Sequence, residues 1–103
     1  MCNAPRYILY VIIQSFQCAE THRLFIARRS RRWPGLQAVA LRKLDQLNAA
    51  AVLADLAVPP GNRLEVLRGS RKGLHSIRIN DQWRICFLWT REGPHNVEIV
   101  DSH

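Results

Sequence analysis

The chain has 103 residues, enough for one domain around a single core and too few for two. A hydrophobic content of 48% with 22% charged residues excludes an intrinsically disordered chain. The formal net charge of +7, carried by 13 Arg and only 2 Lys, points to nucleic acid, an anionic surface or an acidic protein partner and says nothing about fold.

In chain order, the apolar, β-branched stretch YILYVIIQSF predicts an N-terminal strand over roughly residues 7–16. Arg6 followed by YILYVII resembles the start of a secretory signal. The run lies at the bottom of the length range for one, no small-x-small cleavage site follows cleanly, and it is far too short to span a membrane. AETHRLFIARR reads as a short helix with Leu24, Phe25 and the stem of Arg28 toward the core. The basic run RRSRRW (28–33) ends it and reads first as a solvated face, and Pro34-Gly35 breaks the chain. A second helix is expected from about Leu36, with Val39, Ala40, Leu44 and Leu47 at helical spacing and Leu41 widening the stripe. It ends near Ala49–Ala51, VLADL adds one more turn, and VPPGN (58–62) marks a loop.

The remaining segments read as strands: RLEVLRG, then two strands of a hairpin, then NVEIVD, with Gly93-Pro94 signalling a turn inside REGPHN. From His75 to Trp89 the odd positions carry Ile77, Ile79, Trp83, Ile85, Phe87 and Trp89. The even ones are mostly polar, with Leu88 the apolar exception. This alternation favours a three-residue loop, Asn80-Asp81-Gln82, which pairs Ile79 with Trp83, Ile77 with Ile85, and Arg78 with Arg84. A strand, two helices and four strands mean an α+β fold, with the helices on one face of a mostly antiparallel sheet and the other face free.

Like charges directly opposite on a sheet face are destabilising by roughly 0.2–1 kcal/mol. Either Arg78 and Arg84 both bend into water, or an anion sits between them. Arg68, Arg71 and Lys72 join them on or beside the open face, Glu65 lies in the preceding strand, His75 opens the hairpin, and Asp101-Ser102-His103 follow the final strand. Cations, a carboxylate or two and a histidine suit metal-free cleavage of RNA. That reaction needs a base for the 2′-hydroxyl, fixed cations on the phosphorane and a proton for the leaving 5′-oxygen. No Gly-rich phosphate loop, metal-ligand cluster or nucleophile motif competes, so no cofactor is expected. Three cysteines without CxxC or CxxH spacing support neither zinc nor a disulfide framework, and the odd number fits a reducing cytoplasm.

The segment VPPGNRLEVLRGSRKGLHSIRINDQWRICFLW, followed by VEIVDSH, resembles the HigB toxins of the RelE-like superfamily. The resemblance continues upstream through IIQSFQCAETHRLF and ALRKLDQLNAA, covering about residues 12 to 103. Residues 1–11 are left as an extension. It implies a RelE-like fold and a toxin of a type II toxin–antitoxin system that cleaves messenger RNA on the ribosome. A HigA-type helix-turn-helix antitoxin would neutralise it, and operator DNA would be reached through the antitoxin complex. By position, Arg68 and Arg84 match the family's basic active-site residues, Asp101 and His103 its C-terminal acid and histidine, and Glu65 a catalytic position held by His in some members. Arg71, Lys72 and Arg78 are expected to contact the RNA backbone. The chain departs from the pattern at Ser102, usually Tyr, and at Ser70, usually the Asp of a Gly-Asp-Arg turn. Two other readings stand beside the nuclease: a non-catalytic partner in an antitoxin–operator repressor complex, and a general basic RNA-binding domain. Basic residues without aromatics on the open face favour backbone contact over base reading.

Overall fold

The computed structural model describes residues 12–67 and 73–102. Helix α1 (Ala19–Ala27) buries Thr21 and Leu24, one turn apart. It stops at Arg28, whose left-handed backbone (φ 67°) turns its N–H onto the Leu24 carbonyl at 2.8 Å. Helix α2 (Gln37–Ala49) buries Ala40, Leu44 and Leu47, the i, i+4, i+7 stripe expected of a helix with one packed face. Between them the basic run is shaped by Ser30: its hydroxyl accepts the N–H groups of Arg32 and Trp33, and its own N–H donates to Gln37. Two short 3-10 turns follow, Leu53–Ala57 and Pro60–Asn62.

Four strands complete the chain: β1 (Glu65–Val66), β2 (Leu74–Arg78), β3 (Trp83–Thr90) and β4 (Gly93–Asp101). They lie in the order β1-β2-β3-β4 with antiparallel neighbours. The predicted hairpin register holds, with Ile77 opposite Ile85 and Arg78 opposite Arg84. Asn80 accepts the N–H groups of Gln82 and Trp83 through its side-chain oxygen, which fixes the three-residue loop. The odd-numbered face carries Ile77, Ile79, Ile85, Phe87, Val97 and Ile99 into one core with Leu24, Ala40, Leu44 and Leu47. Thr21, also buried, accepts the N–H of Ile99 and ties α1 to β4. The architecture is the α+β arrangement expected.

Three expectations change. The N-terminal strand over 7–16 lies partly outside the described residues. Residues 12–17 follow the outer edge of β4, with only Phe16 and Val97 forming a parallel bridge. The last strand begins at Gly93, not at Asn96, because Arg91-Glu92 is the turn and Thr90 pairs with Gly93. The Thr90 hydroxyl tightens that turn by donating to the Gly93 carbonyl and accepting from the Glu92 N–H. Gly93 is therefore a packing residue: at φ 130°, a Cβ there would come within 2.4 Å of the Ile12 carbonyl oxygen. The extra residue is absorbed by an irregularity between Cys86 and Leu88, where Asn96 takes a left-handed backbone (φ 54°). Arg28, finally, does not send its stem into the core but caps α1 and bonds Asp45 at 2.6 Å.

Candidate nucleic-acid interface on the open sheet face

Alternation sets the side chains that leave the sheet away from the helices. Glu65, Ser76, Cys86 and Glu98 form one row across the four strands, and Arg78, Arg84 and Val100 form the next. Within this grid Arg84 is held tightly, its side chain only 13% exposed. Its Nε donates to the Ser76 hydroxyl at 2.8 Å, and its Nη2 donates to the carbonyls of Arg63 (2.6 Å) and Ser76 (3.3 Å). A Glu65 carboxylate oxygen lies 3.6 Å from the same Nη2, and Glu65 is 57% exposed. Nη1 donates to no described residue, which leaves one end of the guanidinium for an incoming anion.

The carbonyl of Arg63 reaches Arg84 because of the loop before β1. Asn62 is fully buried, and its amide donates to the carbonyls of Leu56 and Val58 and to the Gln46 side chain. Its oxygen accepts from Lys43. This anchor fixes the 3-10 turn Pro60–Asn62, after which Arg63 adopts a left-handed backbone (φ 46°). The VPPGN segment, read from sequence as a loop, is thus a rigid bracket.

Arg78 ion-pairs with Asp81 in the hairpin loop. Burial lowers the pKa of Lys43 from its ordinary value, and the positive charges of Arg42 and Arg78 push it further the same way, so cations of α2 and of the hairpin share one neighbourhood. His75, expected beside the open face, lies on the helical side instead. Its register partners are Val66 and Phe87, and its ring stacks on Phe87 with centroids 6.1 Å apart. Asp101 pairs with Trp83 and alternates with Val100, so it leaves β4 on the side opposite Arg84. Gln82 donates to its carboxylate at 3.0 Å. The Ser102 N–H and hydroxyl both donate to the Gln82 carbonyl, at 2.7 and 2.8 Å. Arg68, Arg71, Lys72 and His103 lie outside the described residues.

Sequence reading passed over Ser76, Asn62, Arg63 and Lys43. Ser76 alone carried a usable signal, since the alternation that put Arg78 and Arg84 on the open face puts Ser76 there too. On the helical layer a basic concavity of about 1000 Å³ is lined by Arg23, Arg29, Arg31 and Arg32. Arg32 lies over the Trp33 ring, 5.1 Å from its centroid. Among the described residues no group of three His, Cys, Asp or Glu side chains could hold a metal ion, and no helix is long and apolar enough to cross a membrane.

Two helices packed on one face of a four-stranded antiparallel sheet, with arginines on the other, place the molecule among α+β domains of RelE-like fold. The family model for the RelE-like toxin of the type II toxin–antitoxin system HigB matches residues 10–103, and the chain belongs to that family. It is 47% identical over 62 residues to Toxin HigB-1 of Vibrio cholerae serotype O1, covering 60% of this chain and 64% of that one. It is 35% identical over 68 residues to an uncharacterised protein of Haemophilus influenzae, covering 66% of each chain. The matched segments span just under two thirds of these relatives' lengths.

Proposed function

We propose that this toxin-family chain is a metal-independent endoribonuclease that cuts messenger RNA on the ribosome. The observation that carries the reading is Arg84: a nearly buried guanidinium held by three hydrogen bonds, with Nη1 unengaged among the described residues and a carboxylate beside it. A cation fixed in this way stabilises charge that develops on a phosphorane without having to reorganise. Arg68 would share the phosphate. Glu65, exposed and close to Arg84, would take the 2′-hydroxyl proton as the 2′-oxygen attacks phosphorus. The 5′-oxygen then leaves with a proton, and His103 would supply it, since Asp101, the other candidate from sequence, leaves β4 on the side away from Arg84. Arg71, Lys72 and Arg78 would contact flanking phosphates. The antitoxin would be of the HigA helix-turn-helix type, operator DNA would be met through it, and the setting would be the cytoplasm.

The test is single-turnover cleavage of message on programmed ribosomes by the parent and by Arg84→Ala. Cleavage by the parent and its loss in the variant support the reading, and equal cleavage by both removes it. One observation favours a second reading, a non-catalytic partner in an antitoxin–operator complex. Ser102 stands where the family usually has an aromatic ring, and its hydroxyl is tied to the Gln82 carbonyl. A parent that cuts nothing while its antitoxin complex binds operator DNA supports that alternative.

A further inference from the structure

The open sheet face holds a concavity that phosphate binding does not use. Its volume is about 260 Å³, and Leu67, Leu74, Cys86 and Val100 line it together with Asn96 and Glu98. That lies just under the range of about 300–1,000 Å³ typical of small-molecule sites, so it suits one planar ring system better than a larger ligand. Register places it beside Arg84: Val100 is directly opposite Arg84, and Cys86 follows two residues along β3. Two residues along a strand is about 7 Å. A phosphate on Nη1 of Arg84 and a base in the concavity can therefore belong to neighbouring parts of one strand of RNA.

Glu98 supplies the second observation. It is half-buried, faces Cys86 in register and lines the concavity, yet it makes no hydrogen bond or ion pair among the described residues. In a chain with 13 arginines this carboxylate has not been neutralised by any described one. A carboxylate only accepts hydrogen bonds, so a ligand that satisfies it brings N–H donors. Cytosine and adenine each offer an exocyclic amino group. Guanine offers a ring N–H and an amino group side by side, matching both carboxylate oxygens, whereas uracil has no amino group.

Resting on the reading that Arg84 binds the RNA phosphate, we infer that this concavity receives a base flanking that phosphate. Glu98 selects bases that carry an amino group, guanine foremost. A base without matching donors leaves the half-buried carboxylate desolvated and unpaired, the kind of mismatch that discriminates strongly.

The experiment uses the full chain and four 2′-O-methyl hexanucleotides, uncleavable and identical except for one central base in a uridine tract. Fluorescence anisotropy at one ionic strength compares the parent, Glu98→Gln and Arg84→Ala, with melting temperatures as the fold control. The parent should bind the guanine oligonucleotide at least tenfold more tightly than all-uridine, with cytosine and adenine between. Glu98→Gln should reduce that spread to threefold or less. Arg84→Ala should weaken all four and keep their order. Equal binding of the four by the parent, or an undiminished spread in Glu98→Gln, overturns the inference. So does a Glu98→Gln protein whose base spread is undiminished but whose antitoxin affinity falls, because the concavity then belongs to a protein side chain. A second arm, cleavage on ribosomes programmed with the same base changes, separates the two ideas. Base ranking in binding with no cleavage leaves the base site standing and removes the nuclease. Cleavage indifferent to the base, in both parent and Glu98→Gln, leaves the nuclease and removes the base site.

Discussion

Arg78 and Arg84 stand directly opposite each other across the hairpin, yet each turns to a different acid, Arg78 to Asp81 in the loop and Arg84 to Glu65 on β1. Their mutual repulsion is relieved sideways rather than by solvent alone. Arg84 is the one withdrawn from water, and the groups that hold it lie on two separate segments of the chain, residues 63–65 and β2.

This arrangement sets the stability effect of Arg84→Ala. Facing charges alone would make the variant level with the parent or slightly more stable. The lost hydrogen bonds reverse the sign, because the Ser76 hydroxyl and carbonyl lose their donor in a partly buried setting, and the exposed Arg63 carbonyl loses its own. The expected cost is about 1–3 kcal/mol, read as a lower urea midpoint at unchanged slope, together with abolished cleavage.

Ser76→Ala separates position from charge. The serine is 1% exposed, and the change keeps Arg84 while freeing its Nε. Turnover should fall about tenfold with little change in KM, equivalent to about 1.4 kcal/mol in the barrier. Hydrogen exchange at the Arg84 Nε should quicken in the same variant. A parent-like exchange rate would show that the serine does not hold the guanidinium.

Lys43 gives a pH dependence of defined sign. Its folded pKa lies below its ordinary 10.5, so the folded state binds this proton less well than the unfolded chain does. Stability should therefore rise with pH between the lowered value and 10.5, since the unfolded state carries more protons there, and this gain should be absent in Lys43→Met. The difference between urea midpoints of the two proteins, followed from neutral to alkaline pH, isolates it.

Salt should weaken RNA binding steeply, given a net charge of +7. For a single strand each phosphate contact contributes about 0.7 to the slope of log affinity against log salt, so Arg84→Ala should make the slope shallower by about that amount. Binding to the antitoxin should be less sensitive if that interface lies on the helices. Equal slopes for both complexes would count against separate surfaces.

The C-terminal segment offers a gain as well as a loss. Removing His103 should cost most of the cleavage and spare antitoxin binding. Ser102→Tyr loses one of two bonds to the Gln82 carbonyl but keeps the backbone one. The new ring should raise cleavage if base stacking is what an aromatic residue supplies there. Single-turnover rates of the three proteins decide it, and a truncated protein as fast as the parent would remove His103 as the source of the leaving oxygen's proton.

Period-two alternation made the hairpin legible, because a slipped register would have driven Ile77, Ile79 and Ile85 out of the core. Arg78 and Arg84 came with it. Their acids did not: Asp81 sits in a loop where no periodicity applies, and Glu65 reaches Arg84 only once β1 is laid against β2. The Asn62 bracket was hidden for the same reason, since a buried amide serving two carbonyls and two side chains looks like any turn residue in a string of letters. His75 and Asp101 show the converse. Each was grouped with the arginines by nearness in sequence or by resemblance, although alternation from Ser76 and from Val100 puts both on the other side of the sheet.

The missing side chain at Gly93 has a consequence for how copies of this protein treat one another. By letting the Ile12 backbone settle against it, Gly93 keeps residues 12–17 alongside β4, where Gln14 and Gln17 donate to the Pro94 and Val97 carbonyls and Ser15 accepts from the Val97 N–H. The long outer margin of the sheet is thereby capped, and the described residues leave only the two-residue β1 as an open border. A bulkier residue at 93 would lift that cap and present β4 as a ready template for another chain's strand, turning a local packing defect into a tendency to aggregate.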